Sequence, residues 1–247
     1  MHALPKRDDV MPDTVELEKT ATNLASLTLS SGLIQIRDVV LSQWRKKDAI
    51  ARLSKHGIHP IRQLFFYGPP GNGKTVASQW IAKDLGVPLF RVRCEMLVSS
   101  YLGVTAQNMS KTLRYLEDVG PAIVLFDEIE TLFQSRELAG SNVSQERHAA
   151  MATLWQSLDR WTTPQLFIFA TNMESAMDAA MMSRFELQLF FGPPTLEQCC
   201  SVIDYWSEVF HEFGSDEWAR ELKERRHVSF RALWQAITEI VRFRALC

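Results

Sequence analysis

Short apolar runs alternate with segments of helical spacing along most of this 247-residue chain. Apolar runs bounded by turn residues predict buried strands, and apolar residues three and four apart predict helices between them. The predicted strands are residues 64–67, 88–94, 122–126, 165–170 and 185–191, and the predicted helices are 38–56, 76–85, 105–119, one ending near 159, and 177–184. Because strands joined by right-handed helical crossovers run parallel, this order predicts an α/β fold with a doubly wound parallel sheet.

The pattern changes after a hard break at Gly192-Pro193-Pro194. Residues 195–210, 216–226 and 229–245 have helical spacing with no strand between them, which indicates a second, small all-helical domain. Residues 1–20 are polar and charged, and residues 24–36 are mildly apolar with a Ser-Ser-Gly break. We therefore expect a flexible N-terminal arm and linker over 1–30, an α/β domain over 31–192 and a helical domain over 193–247. Asp38 is the expected N-cap of the first helix, and Gly57 follows its end.

Composition and charge exclude several classes of protein. The chain is 46% hydrophobic and 23% charged, as in ordinary globular domains, and its net charge of -2 favours neither nucleic acid nor an anionic membrane as partner. A local basic patch stays compatible with this total. No apolar run reaches the length of a membrane span, so we expect a cytoplasmic protein. Four cysteines without C-x-x-C spacing, and histidines that lie singly, indicate neither a zinc site nor a disulfide framework.

A glycine-rich loop follows the first buried strand and ends in Lys-Thr at the start of a helix. It consists of Gly68, Pro69, Pro70, Gly71, Asn72, Gly73, Lys74 and Thr75. This spacing lets backbone N–H groups turn toward phosphate oxygens at the positive end of the helix. Lys74 is then expected to meet the β- and γ-phosphates of a nucleotide, and the Thr75 hydroxyl to ligate Mg²⁺. A glycine turn with a chance Lys-Thr is the competing interpretation, and the strand–loop–helix context favours the phosphate site.

Two carboxylates end the buried strand over 122–126. Parallel strands deliver their carboxyl ends to one crevice, so Asp127 and Glu128 are expected beside the glycine-rich loop. There Asp127 can hold Mg²⁺, directly or through water, and Glu128 can orient and deprotonate an attacking water. The alternative is that the Asp-Glu pair caps a following helix. The co-occurrence of two parts of one phosphoryl-transfer site favours the first interpretation.

Taken together, these motifs resemble the AAA+ ATPases, and within them the AAA clade of ring-forming protein remodellers. The resemblance covers residues 31–246: Gly68–Thr75 looks like Walker A and residues 123–128 look like Walker B. It implies a P-loop core followed by a helical lid, with ATP and Mg²⁺ as cofactors and ATP hydrolysis as the activity. Asn172 matches the sensor-1 residue, which in the family helps to position the lytic water. Val76 is expected to wall the adenine pocket.

Two arginines match further family positions. Arg184, in the segment 177–185, resembles an arginine finger that reaches the γ-phosphate of a neighbouring subunit. AAA-clade members usually carry two arginines and a Pro-Gly insert here, and this chain lacks the insert, so a surface arginine is the alternative. Arg231 lies where many relatives carry a sensor-2 arginine on the lid. It either approaches the γ-phosphate or is an ordinary solvated helix arginine.

Tyr101, Leu102 and Gly103 resemble the aromatic-hydrophobic-glycine loop that AAA unfoldases project into the central pore of the ring. An aromatic beside an apolar residue can insert between side chains of an extended polypeptide, although both residues could instead pack in the core. The resemblance implies a homo-oligomer, a hexamer with ATP, that acts on a protein partner and not at a membrane. An ATP-switched regulator or loader acting with nucleic acid or an effector enzyme is the alternative, and a small-molecule P-loop kinase is a weaker third hypothesis.

Overall fold

The central feature of the fold is a six-stranded sheet. This computed structural model describes residues 11–18, 31–99, 101, 103–133, 141–173, 179–211 and 215–246. The strand order is β1-β3-β4-β5-β2-β6, and every neighbouring pair is parallel except β1 with β3. The strands are β1 Val15–Glu18, β2 Gln63–Tyr67, β3 Leu89–Arg93, β4 Ala122–Asp127, β5 Gln165–Thr171 and β6 Leu187–Phe190. The predicted α/β class with a doubly wound parallel sheet is confirmed.

Helices cover both faces of this sheet, which is why its central strands are apolar at nearly every position. The helices are α1 Ser31–Arg45, α2 Lys47–Ser54, α3 Lys74–Leu85, α4 Cys94–Leu97, α5 Val104–Asp118, α6 Glu130–Phe133, α7 Ser141–Asp159, α8 Ala179–Met182, α9 Leu196–Val209, α10 Ser215–Glu224 and α11 Phe230–Leu246. Phe126 and Phe169 pack in one core cluster with α5 and α7, whereas Leu125 and Ile168 pack in a second cluster with α1 and α3. Because side chains alternate between the two faces of β4 and β5, these strands contribute to two hydrophobic cores, one on each face of the sheet.

The first helix begins earlier than its capping signal predicted. Asp38 lies inside α1 and does not cap it, because the helix already runs from Ser31. Leu33, Ile36 and Val40 are buried with helical spacing against the sheet, so their apolar stripe draws the preceding turns into the helix.

The N-terminal segment contains a strand where the sequence analysis placed a flexible arm. Residues 1–10 and 19–30 lie outside the described residues, but β1 pairs antiparallel with β3 at the edge of the sheet. Val15 is buried, and the Thr14 and Thr112 hydroxyls lie 2.5 Å apart in a buried hydrogen bond. The Arg93 guanidinium pairs with Glu16 at 2.9 Å. The arm prediction is corrected at this point: Val15–Glu18 forms a strand because Val15 is buried and both glutamates pair with arginines of β3, which lies far away in sequence.

The three C-terminal helices share a hydrophobic cluster of their own, centred on Ile203, Trp218, Leu222, Leu233 and Ile237. A capping box formed by Thr195 and Gln198 starts α9 directly after the Pro193-Pro194 break. These helices are the small helical unit that the sequence indicates, although the exact domain limits stay a prediction. Among the described helices, none combines the length and apolar character required to cross a bilayer.

Candidate active site

The loop between β2 and α3 is shaped by glycine backbone geometry. Gly68 has φ +132, and a Cβ added there would lie 2.4 Å from the carbonyl oxygen of Phe191, so the backbone directly after β6 leaves room only for glycine. Gly73 has φ +96 and precedes the first residue of α3. Since glycine has no side chain to cap the helix, the first amides of α3 can serve an anionic ligand.

Lys74 is the first residue of α3 and its side chain is buried. Its ammonium donates hydrogen bonds to the carbonyl oxygens of Gly68 at 2.6 Å and Pro69 at 3.0 Å. Burial lowers the pKa of this ammonium, while the negative charges of Asp127 and Glu130 oppose that shift. A cation held by two loop carbonyls is positioned to exchange those contacts for phosphate oxygens.

Thr75 and Asp127 bring two oxygen donors together from separate elements. The Thr75 hydroxyl donates to Asp127 Oδ2 at 3.1 Å, which joins the start of α3 to the carboxyl end of β4. A hydroxyl and a carboxylate at this spacing are ligands that Mg²⁺ accepts, either directly or through its retained waters. The residues present therefore fit a magnesium ion held between the loop and β4.

Glu128 follows Asp127 with an unusual backbone. Among the described residues it is the one non-glycine residue with positive φ, at 53°, and its N–H donates to Asp127 Oδ1 at 3.1 Å. Such conformations cost free energy and persist where the surrounding structure fixes them. The strained turn leaves Glu128 exposed, so its carboxylate is accessible to water.

Asn172 follows the end of β5, and its position depends on a residue that the sequence analysis missed. The Asn172 N–H donates to Glu130 Oε1 at 3.2 Å. Glu130 is buried, and within the described part of the chain its Oε2 has no hydrogen-bond partner. The signal was available in principle, because Glu130 follows Glu128 by two residues at the start of α6. This carboxylate ties the end of β5 to the turn after β4.

Arg91 is a second residue that sequence reasoning missed at this site. Its guanidinium contacts Asp127 Oδ2 at 3.0 Å from the neighbouring strand β3. The available signal was the alternation Arg91-Val92-Arg93, which places both arginine side chains on the face opposite to the buried Val92. Asp127 therefore has an arginine partner in addition to Thr75.

Comparison with known proteins identifies the family. A profile of the ATPase family associated with various cellular activities (AAA) matches residues 64–193, which is more than half of the chain. The chain belongs to the AAA family of ATPases. ATP binding and hydrolysis are the activities that this membership implies, and ATP is the expected cofactor.

The relatives of this AAA chain are longer proteins. An uncharacterized AAA family ATPase of Sinorhizobium fredii, y4kL, is 33% identical over 74% of this chain and 53% of its own length. The cell division control protein 48 homolog B of Arabidopsis thaliana is 32% identical over 65% of this chain and 27% of its own. The outer mitochondrial transmembrane helix translocase of Xenopus tropicalis is 24% identical over 78% of this chain and 52% of its own. The chain thus spans about half of such relatives, or less.

The helical unit of this AAA chain contacts the phosphate loop through Arg231. The Arg231 N–H donates to the Gly71 carbonyl at 3.1 Å, and a Cβ added at Gly71 would lie 2.9 Å from Arg231 Cβ. Burial is the main cause that lowers the pKa of Lys74, and the positive charge of Arg231 lowers it further. Arg231 is exposed, so the contact through its backbone leaves its guanidinium accessible.

Val76 is half-buried in α3, and its role as a wall of the adenine pocket stays a prediction.

The other loop residues differ in their environment. Asn72 is buried, and its side-chain amide donates to the Phe191 carbonyl at 3.4 Å. Pro69 and Pro70 are exposed at the outer turn of the loop. Asn72 thus anchors the loop to the end of β6, while the two prolines restrict the backbone that precedes Gly71.

The contacts of the Arg184 side chain are with helix α7 and not with the phosphate loop. Its guanidinium pairs with Asp159 at 3.4 Å and lies 5.3 Å from the ring centroid of Trp155, both on α7. The side chain is 43% exposed, so it is accessible to a second molecule. Residues 177 and 178 of the predicted finger segment 177–185 lie outside the described residues, and the arginine-finger role stays a prediction.

Tyr101 is 75% exposed on the connection between α4 and α5. The alternative in which it packs in the core is therefore wrong. Leu102 lies outside the described residues. The Gly103 N–H donates to the buried Glu146 carboxylate at 2.6 Å, which anchors the end of this loop to α7. An exposed aromatic on an anchored loop is an arrangement suited to contact another chain.

Proposed function

We propose that this chain is a Mg²⁺-dependent ATPase that assembles into a ring and uses hydrolysis to remodel, unfold or disassemble a protein partner. The observation that carries the ATPase assignment is the convergence of Lys74, Thr75 and Asp127 at the carboxyl ends of β2 and β4, with Thr75 and Asp127 3.1 Å apart. Phosphoryl transfer depends on this positioning of a cation, a metal-holding pair and phosphate-binding amides.

Each residue has a separate role in this proposal. Lys74 and the amides of the Gly68–Val76 segment bind the phosphates, and Thr75 and Asp127 hold Mg²⁺. Held there, the ion would supply positive charge that stabilises the charge developing on the phosphates during transfer. Glu128 orients the attacking water and accepts its proton, because its carboxylate is accessible next to the metal-holding pair. Asn172 positions the same water from the end of β5.

The ring assembly is supported by the environment of Arg184. Its partners Asp159 and Trp155 belong to α7, and the guanidinium is 43% exposed rather than turned into a site of its own subunit. An exposed cation of this kind can stabilise the phosphoryl group bound by a neighbouring copy. We therefore place each active site at an interface between two copies.

A polypeptide partner is supported by Tyr101 and by the relatives. The Tyr101 ring is 75% exposed, and the Gly103–Glu146 hydrogen bond fixes the base of its loop. One relative is named as a translocase of transmembrane helices, and such helices are polypeptide segments. An anchored aromatic loop that contacts an extended chain is consistent with that class of partner.

The decisive experiment measures the mass of the Glu128→Gln protein by light scattering after size exclusion, with and without Mg-ATP. We expect a shift to about six subunits only with Mg-ATP, because the variant binds nucleotide without turning it over. Glu239→Gln, which alters an exposed glutamate of α11, is the matched control and should hydrolyse ATP normally. A Glu128→Gln protein that stays monomeric, or that hydrolyses ATP at the control rate, would contradict the ring or the role of Glu128, respectively.

A second function is favoured by the contact between Arg231 and Gly71. Because the helical unit touches the phosphate loop directly, nucleotide state can alter its position, as required of an ATP-switched regulator or loader that acts with nucleic acid or an effector enzyme. Such a protein should bind DNA only with ATP and lose affinity steeply as salt increases. The absence of DNA binding at low salt would eliminate the nucleic-acid version of this function.

A further inference from the structure

Asp127 Oδ2 is shared between two donors. The Thr75 hydroxyl donates to it at 3.1 Å, and the Arg91 guanidinium contacts it at 3.0 Å. The Asp127 side chain is only 12% exposed, so few water molecules compete for this oxygen. The carboxylate proposed to hold a divalent cation therefore already has a cation beside it.

Arg91 is also held by a second carboxylate, from the N-terminal strand. Its other terminal nitrogen lies 3.6 Å from Glu18 of β1. That distance is long for a hydrogen bond, and within the described part of the chain the buried Arg91 Nε has no hydrogen-bond partner. The guanidinium thus lies between two carboxylates, with the shorter contact to Asp127.

The position of Glu18 is fixed by the pairing of β1 with β3. Val15 is buried opposite Val92, and Glu16 forms a separate ion pair with Arg93 at 2.9 Å. Glu16 and Glu18 therefore lie two residues apart on the same strand, yet of these two only Glu18 pairs with the arginine that reaches Asp127. Strand β1 therefore provides Glu18, which contacts Arg91, and Glu16, which serves as its control.

We propose that Arg91 competes with the divalent cation for Asp127 and that Glu18 weakens this competition by attracting the guanidinium toward β1. The inference rests on the proposed role of Thr75 and Asp127 in holding the cation. Two positive charges on one carboxylate oxygen repel each other, so Arg91 must loosen its contact when the cation binds. Glu18 offers the displaced guanidinium a negative charge, which makes the exchange easier. The N-terminal strand thereby influences cation binding at the nucleotide site.

The test measures how strongly Mg²⁺ increases nucleotide affinity. The dissociation constant of a fluorescent ADP derivative, mant-ADP, is determined with saturating Mg²⁺ and with EDTA, and the ratio of the two is the Mg²⁺ enhancement. Arg91→Met should raise this enhancement by about fivefold and Glu18→Gln should lower it by about the same factor, the range of partly exposed ion pairs. Glu16→Gln should leave it unchanged. The double variant should behave like Arg91→Met, because Glu18 acts through Arg91.

The outcomes separate this inference from the proposed function. A wild-type chain that binds no mant-ADP would overturn both. If mant-ADP binds but the Mg²⁺ enhancement is unchanged in Arg91→Met and Glu18→Gln, only the competition between Arg91 and the cation is overturned. A lower Mg²⁺ enhancement in Arg91→Met would overturn it as well. Equal effects of Glu16→Gln and Glu18→Gln would also overturn it, since the change in Mg²⁺ enhancement would then come from weaker pairing of β1 with β3 and not from the charge of Glu18. If circular dichroism shows that Arg91→Met does not fold, the contrast between Glu18→Gln and Glu16→Gln decides.

Discussion

Gly68 provides a stringent test of how the phosphate loop is built. Gly68→Ala places a Cβ 2.4 Å from the Phe191 carbonyl oxygen and 3.2 Å from the Phe190 ring, at a backbone φ of +132. The backbone strain costs about 1–3 kcal/mol. The overlap with the Phe191 backbone, directly after β6, costs about a further 1–3 kcal/mol. We therefore expect the free energy of unfolding to fall by about 2–6 kcal/mol.

Two other glycines separate strain from overlap. Gly57 and Gly73 have φ +80 and +96, but a Cβ at either would meet nothing within 4 Å. Alanine at these positions should cost only the backbone term of about 1–2 kcal/mol. Gly57 lies after α2, outside the candidate site, and Gly73 lies within it. Gly57→Ala is therefore the control for stability, and Gly73→Ala is the control for loop geometry.

The assay is thermal unfolding followed by circular dichroism, with mant-ADP binding measured on each variant. For a chain of this size, each kcal/mol lowers Tm by about 2–4 °C, so Gly68→Ala should melt clearly below both other variants. Gly73→Ala should weaken mant-ADP binding while melting like Gly57→Ala, because it alters the loop without an overlap. A Gly68→Ala protein that melts together with Gly57→Ala would refute the close approach of β6 to the loop.

Three further variants test other parts of the site. Arg184→Ala should bind nucleotide normally but hydrolyse ATP about 10³-fold more slowly, and mixing with Glu128→Gln subunits should restore part of the rate; absence of recovery in every mixture would contradict action between subunits. Glu130→Ala should reduce the ATP turnover number about tenfold, whereas Glu130→Gln keeps an acceptor for the Asn172 amide and should reduce it less; equal rates in the two variants would argue against this positioning. Burial, and secondarily nearby carboxylates, raise the pKa of Cys94 well above its ordinary value near 9. The unfolded thiol therefore ionises first, so wild-type stability should fall above about pH 9, and Cys94→Ala should show a shallower decline; parallel pH profiles would contradict the shift.

Sequence patterns predicted the nucleotide loop well because its geometry is local. The glycine spacing of residues 68–73, the Lys74-Thr75 pair and the apolar strand before them are read within a dozen residues, and the structure gives the same strand, loop and helix. The general behaviour of parallel sheets predicts the carboxyl end of β4 beside this loop, and the hydrogen bond from Thr75 to Asp127 shows that it lies there. Whether these residues bind ATP and Mg²⁺ stays a prediction.

The missed features depend on contacts between distant segments. Val15–Glu18 alternates apolar and acidic residues, but only over four positions inside a polar segment, and it becomes a strand because β3 offers an open edge with arginines for its glutamates. The early start of α1 has a similar cause, since the sheet buries its first apolar residues. Such effects cannot be read from local propensity, because tertiary packing overrides it.

The sequence by itself determined the alternation of strands β2 to β6 with helices, the phosphate loop and the two carboxylates at the end of β4, since each depends on spacing along a few residues. Only the tertiary structure decided that Arg91 shares Asp127 Oδ2 with Thr75, and that Glu130 accepts a hydrogen bond from the backbone N–H of Asn172. The reason is physical: a charged side chain acquires its role from partners within a few ångströms. Folding alone brings those partners together across dozens of residues.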